Sequence, residues 1–184
     1  IVVNWNSGDL LLPCVESIVG QTIAPERVLI VDNASTDGSL GDLEEQFPQV
    51  EVLRQPVNRG FACGNNIAIE KLVDVDWIAL LNPDAIAYPD WLENLLASAR
   101  QHPAVVSFGS KMLRPGSDVL DGTGDVYHVS GLAWRRDHGA KDTLVDHGAD
   151  QIFSPPPLHS NDAFFGRLRR PCVYSPSLLH LLNF

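Results

Sequence analysis

Short runs of apolar residues alternate along the chain with segments whose apolar positions recur every three to four residues. Ile1 to Val3, Val28 to Val31, Val50 to Leu53, Trp77 to Leu81 and Val105 to Phe108 read as buried strands. Between the first two runs, Leu10, Leu11, Val15, Ile18 and Val19 recur at helical spacing. Pro13 falls in the tolerated first turn of that helix, and Ser7 or Asp9 is placed to cap it. A second helix is predicted to start at Asp37-Gly38-Ser39 and run through Leu40, Leu43 and Phe47 to Pro48. A third follows a loop over 58–66 and carries Ile67, Ile69 and Leu72. A fourth opens at Pro89, carries Trp91, Leu92, Leu95 and Leu96, and ends by His102-Pro103. This alternation predicts an α/β fold: a doubly wound, mostly parallel sheet with helices on both faces and right-handed crossovers.

From Lys111 the pattern loosens. Arg114 to Ser117 is turn-like, Val119 to Trp134 suggests a hairpin or an irregular excursion, and Arg135 to Gly139 is a charged loop. From Pro155 the chain turns to Pro, Arg and Leu, with Asp162 its single acid. The division read from this is one domain over 1–154 and an atypical tail over 155–184.

At 184 residues and 45% hydrophobic content, the chain suits one domain with a full core, with or without an appendage. A formal charge of -10 argues against nucleic acid or an anionic lipid surface as partner. It leaves room for a nucleotide, because loops and a divalent cation can hold phosphate inside an acidic protein. Cys14, Cys63 and Cys172 are widely spaced and without a CxxC pair, which speaks against zinc and against a disulfide framework. Reduced cysteines in a cytoplasmic setting are the expectation. His128, His138 and His147 are too scattered to suggest zinc. No run is long enough to span a membrane, and no signal peptide is visible. The opening at Ile1, in mid-strand and without Met, suggests that a few residues precede it.

Three phrases at predicted strand ends carry the chemistry: Val31-Asp32-Asn33-Ala34-Ser35-Thr36-Asp37-Gly38, Asn58-Arg59-Gly60-Phe61, and Leu80-Leu81-Asn82-Pro83-Asp84. Open α/β sheets bind ligands at such ends. Asp32 can accept the imide N–H of a pyrimidine or a ribose hydroxyl. Asp37 and Gly38 read as turn and helix-cap residues. The loop from Asn58 to Asn66 either turns its N–H groups to phosphate or is a tight turn with a helix cap. Asp84, with Asn82 as a weaker neighbour, offers oxygen to a hard divalent cation, or else closes a proline turn. Trp5 is placed either to stack on a base or to join the core.

Together these phrases resemble the inverting nucleotide-sugar glycosyltransferases of family 2, of GT-A fold, and among them the bacterial rhamnosyltransferase-like members. Four segments carry the resemblance: Val3-Asn4-Trp5-Asn6-Ser7-Gly8; Val31 to Ser39; Asn58-Arg59-Gly60-Phe61-Ala62 with Asn65-Asn66; and Leu81-Asn82-Pro83-Asp84. It covers about residues 1–113, and Asp121-Gly122-Thr123-Gly124-Asp125 is a less distinctive addition. The resemblance implies that Asn4, Trp5, Asn6, Asp32, Asn33, Ser35, Asn58, Arg59, Gly60 and Asn65 bind a nucleotide-diphosphate sugar. Asp84, with Asn82 in the first acidic place of the usual DxD, would hold Mg²⁺ or Mn²⁺. It further implies a saccharide or lipid-linked acceptor, a role in bacterial cell-surface polysaccharide assembly, and a cytoplasmic place, peripheral at the inner face of the plasma membrane. The family continues with a Gly-Gly-Phe-Asp-Glu stretch and an acidic pair carrying the base. Neither has a counterpart after Asp150. The catalytic base is therefore unassigned, the domain over 1–154 reads as incomplete, and the tail reads as a truncated or frameshifted remnant. Two other readings compete: a nucleotide-sugar-binding fragment without turnover, and a nucleotidyltransferase. The second is disfavoured by the polar, neutral loop at Asn4 to Gly8, where a glycine-rich basic loop is expected.

Overall fold

A computed structural model describes residues 1–128, 130, 132–144 and 164–167. The central strands are those whose residues are apolar without interruption. β1 (Val2–Asn4) and β2 (Val28–Asp32) are buried at every position, as expected of parallel strands covered on both faces. β2 pairs in parallel with β1 through Val2↔Ile30 and Asn4↔Asp32. On its other side it pairs in parallel with β3 (Val50–Arg54) through Val28↔Val50 and Asp32↔Arg54. Beyond β1 lies β4 (Trp77–Leu80). The Ile1 nitrogen donates to the Ala79 carbonyl at 2.8 Å and the Leu81 N–H donates to the Ile1 carbonyl at 3.0 Å. This is the hydrogen-bond pattern of a parallel bridge between Ile1 and Leu80.

Alternation along the strands fills the two faces. Val2, Val28, Ile30 and Val50 pack with Leu11, Cys14, Val15 and Ile18 of α1 (Leu11–Val19) and with Leu43 of α2 (Leu43–Gln46). Val3, Leu29 and Val31 pack on the opposite face with Ala68 of α3 (Phe61–Lys71). Gly64 makes that second contact close: a Cβ built there would stand 2.8 Å from Val3 Cγ1. Leu92, Leu95 and Ala99 of α4 (Trp91–Gln101) form a third cluster with Trp77, Ala79 and Phe108.

Several boundaries differ from expectation, each for a local reason. The helix expected from Asp37 is only the single turn of α2, because residues 38–42 include Gly38 at φ 76° and Gly41 at φ 36°, outside helical geometry. Asp37 therefore caps no helix. Neither Ser7 nor Asp9 caps α1: Gly8–Leu10 form a 3₁₀ turn and the Ser7 hydroxyl donates to Asn4 Oδ1 instead. α3 begins at Phe61, so Asn65 and Asn66 are helical and not part of a loop. α4 begins at Trp91, two residues after Pro89, and is closed by His102. The fifth strand is β5 (Ser107–Gly109), shifted towards the C-terminus.

Two compact units divide the chain. The first comprises residues 1–108 with the described strand at 164–167. The second comprises the described residues 109–144. In the second, β6 (Met112–Leu113) pairs antiparallel with β7 (Leu120–Gly122), and β8 (Asp125–Tyr127) forms a hairpin with β9 (Ala133–Arg135). Asp121 accepts from Arg135, and the Thr123 hydroxyl donates to Asp137 at 2.5 Å, so the Asp121–Asp125 stretch spends its polar groups on holding this unit. β10 (Phe164–Arg167), in the segment read as a tail, lies in the first unit. It pairs antiparallel with β4 through Phe164↔Leu80 and Arg167↔Trp77, and β5 follows on its far side. The rest of 155–184 lies outside the described residues, as does His147.

Candidate functional site

Because β1, β2, β3 and β4 run parallel, the loops after Asn4, Asp32, Arg54 and Leu80 leave one edge of the sheet. Asn4, fully buried, organises the first two. Its Nδ2 lies within hydrogen-bond reach of Asp32 Oδ1 at 2.9 Å, Ser35 Oγ at 3.1 Å and Ser39 Oγ at 3.0 Å. Asp32 Oδ2 accepts the Ser35 N–H at 3.3 Å. Asn6, at φ 51°, donates its N–H to Ser35 Oγ at 3.0 Å and accepts the Thr36 N–H at 2.8 Å. Ala34 also has a positive φ, 61°. Side chains rarely adopt this region unless their surroundings fix it. Here the reciprocal Asn6–Ser35–Thr36 bonds do so. Asp37 binds the loops together further: it accepts from Gly8 at 2.7 Å and from Ser39 at 3.0 Å, and the Ser39 bonds hold its carboxyl below the usual range.

Asn33 links the third loop. Its N–H donates to the Asn4 carbonyl at 2.8 Å and its Nδ2 to the Gly60 carbonyl at 3.1 Å. Gly60, at φ 81° and ψ 169°, is the N-cap of α3 and takes the Asn58 side chain on its N–H at 2.7 Å. Asn58 and Arg59 are exposed, and Trp5 is 57% exposed, which rules out a core role for Trp5. Asn65 stands apart: it is 1% exposed and donates to Phe61 within its own helix.

Asn82 and Asp84 follow β4. Asn82 is buried and Asp84 exposed. The Asn82 carbonyl accepts from the Cys14 thiol at 3.3 Å and from the Ala85 N–H at 3.1 Å. Two buried amide oxygens, Asn33 Oδ1 and Asn82 Oδ1, lack a hydrogen-bond partner among the described residues. Such an acceptor is the kind of feature a ligand, ion or water completes. Among the described residues no group of three or more His, Cys, Asp or Glu side chains could hold a metal ion. The donor chemistry of the turn, one exposed carboxylate at Asp84 and an orphan amide oxygen two residues earlier, fits Mg²⁺ or Mn²⁺, which keep water and phosphate among their ligands.

Sequence reasoning placed Ser39 only at a helix start and in a motif segment, and Cys14 only among scattered cysteines; in the structure Ser39 joins the Asn4 network and Cys14 sits beneath the Asn82 turn. Their signal is three-dimensional: both are ordinary residues within predicted helices.

The family model for glycosyl transferase family 2 matches residues 1–156. The chain belongs to glycosyl transferase family 2. Among its relatives, an uncharacterized glycosyltransferase of Haemophilus influenzae is 32% identical over 117 residues, which are 61% of this chain and 43% of that one. An N-acetylglucosaminyl-diphospho-decaprenol L-rhamnosyltransferase of Mycobacterium tuberculosis is 26% identical over 154 residues, 74% of this chain and 50% of that one. The chain thus spans half or less of the length of these relatives. Among solved structures, the mannosyltransferase PcManGT from Pyrobaculum calidifontis in complex with GDP-Man and Mn2+ is similar at TM-score 0.54 and 25% identity, over 62% of this chain and 34% of that one. S. aureus TarS 1-349 shares the fold at TM-score 0.57 and 17% identity, over 90% of this chain and 45% of that one. The fold of this family 2 domain is therefore GT-A, as the resemblance implies, and α/β, as the strand–helix alternation implies. No helix of the described residues is long and apolar enough to cross a membrane.

Proposed function

We propose that this family 2 chain is the donor-binding part of an inverting glycosyltransferase. It takes a sugar from a nucleoside-diphosphate sugar and passes it to a hydroxyl of a saccharide or lipid-linked acceptor in bacterial cell-surface polysaccharide assembly. The observation that carries this reading is the joining of three strand-end loops through Asn4, Asp32, Ser35 and Asn33 into one hydrogen-bonded edge. The Mn2+ and GDP-Man named with the Pyrobaculum structure support it, as does the rhamnosyltransferase relative.

In this reading Asn6, Asp32, Asn33 and Ser35 form the base and ribose wall, the fully buried Asn4 holds that wall from behind, and the exposed ring of Trp5 offers a face for stacking. The loop at Asn58, Arg59 and Gly60 lies against the diphosphate, where a helix N-terminus favours negative charge. Asp84 and Asn82 hold Mg²⁺ or Mn²⁺. When bound, the cation offsets charge on the departing nucleoside diphosphate. The acceptor oxygen attacks the anomeric carbon from the side opposite the diphosphate as a general base takes its proton. A lipid-linked acceptor would place the protein in the cytoplasm, peripheral to the inner face of the plasma membrane.

Thermal unfolding with a panel of nucleoside-diphosphate sugars, with and without Mn²⁺, tests the reading. A ligand at about 100 times its Kd stabilises by about 2.7 kcal/mol. The expected result is stabilisation by one donor class that depends on Mn²⁺. No stabilisation by any donor in either condition overturns it. Release of free nucleoside diphosphate as the sugar passes to an acceptor hydroxyl then separates an enzyme from a binding fragment.

A further inference from the structure

α1 carries a polar stripe that faces the chain after β4. Cys14, Ser17 and Gln21 recur at spacings of three and four, the same helical face. Cys14 donates to the Asn82 carbonyl at 3.3 Å. Ser17 Oγ donates to the Cys14 carbonyl at 2.7 Å and accepts the Ala87 N–H at 3.0 Å. Gln21 sits just past the helix and is 7% exposed. Its Nε2 donates to the Ser17 and Tyr88 carbonyls, both at 2.8 Å, and its Oε1 accepts the Leu92 N–H at 2.9 Å. These bonds grip the backbone on both sides of Asp84, at Asn82 and at Ala87, Tyr88 and Leu92. Leu81 and Ala87 also pack into the same apolar cluster as Leu11, Val15 and Ile18. Asp84 thus lies within a short span pinned at each end.

We infer that Cys14, Ser17 and Gln21 are positioning residues that hold the Asn82–Asp84 turn ready for a divalent cation. This rests on the proposal above that the turn takes Mg²⁺ or Mn²⁺ with the donor diphosphate. The stripe spends its hydrogen bonds on the main chain of the turn and on α1. Without it the turn must be ordered when the ion arrives, and that ordering cost subtracts from affinity.

The test uses the ¹⁵N-labelled full chain and Mn²⁺ alone, whose paramagnetism broadens nearby amide signals. In the wild type, the Asp84 and Ala85 amides broaden first. In Ser17→Ala, where the Ala87 N–H loses its partner, the Mn²⁺ concentration for half-broadening rises about tenfold, the scale of leaving one buried donor unpaired. The Val28 to Val31 amides keep their positions. Cys14→Ala raises the half-broadening concentration as well, and Cys14→Ser, which retains a donor, restores it. That pair carries the test where Ser17→Ala does not fold. Equal half-broadening in wild type and variants, or no broadening at Asp84 in the wild type, overturns the inference. Normal titration of the turn with failure of the whole donor panel overturns the donor reading instead and leaves the clamp standing.

Discussion

Asn4 is the structural joint behind the proposed donor site. It is completely buried, yet its amide serves Asp32, Ser35 and Ser39 and accepts the Ser7 hydroxyl. Asn4→Ala removes the hub and leaves several polar groups without a partner. The expected loss is about 2–3 kcal/mol, the range for unpairing a buried group beside a charge, read as a lower urea midpoint at unchanged slope. A loss below about 1 kcal/mol would mean that Ser35 and Ser39 repair the network unaided. Cys14 supplies a second prediction at this scale. Burial pushes its thiol up to about 12, against about 8.5 in an unfolded chain. A value raised in the folded state gives a contribution that is full below the unfolded value and is lost as pH rises towards the folded one. Unfolding free energy should therefore fall from about pH 8.5 upward. Cys14→Ser should flatten that limb, and chemical denaturation at a series of pH values checks it.

The loop–helix junction at Gly60 is where an element sets the site. Its φ of 81° suits glycine, its N–H takes Asn58, and its carbonyl receives both Asn33 Nδ2 and the Gly64 N–H. Gly60→Ala should cost about 1–3 kcal/mol of backbone strain and weaken donor binding together with stability, since the same carbonyl ties the third loop to the second. Thermal unfolding and calorimetry on one variant measure both, and a stable variant with intact donor affinity would refute the coupling. Much of this architecture was legible because its cues are local: continuous apolar runs at Val28 to Val31 and Trp77 to Leu80, glycine at position 60, and the Asn-Pro-Asp turn. The second helix misled because Leu40, Leu43 and Phe47 keep helical spacing across Gly38 and Gly41, which leave helical geometry. β10 was not legible, since its partner β4 lies more than eighty residues earlier and only tertiary pairing makes the segment a strand. The stripe of Cys14, Ser17 and Gln21 escaped because periodicity searches count apolar residues, while this face bonds to backbone. Asn65, expected in a loop, is helical because α3 starts early, and its amide donates to Phe61 inside the helix.

The whole molecule is acidic, with a formal charge of -10, and the proposed ligand is a diphosphate. Averaged over the molecule, these charges repel, and the repulsion reaches about 10 Å at 0.1 M salt, less at higher salt and more at lower. Exposed Arg59 and Arg54, itself paired with Glu44, offset only part of it near the site. Two opposite salt dependences follow. Without a divalent cation, the affinity for a nucleoside-diphosphate sugar should be weak and should rise as salt goes from about 20 to about 200 mM, because screening removes net repulsion. With Mn²⁺ on the diphosphate, the entering complex is close to neutral, so affinity should be much higher and nearly flat over the same range. Calorimetry at the two salt concentrations, with and without chelator, separates the cases. A metal-free affinity that falls with salt would show that a local basic field around Arg59 governs donor capture, and that net charge does not.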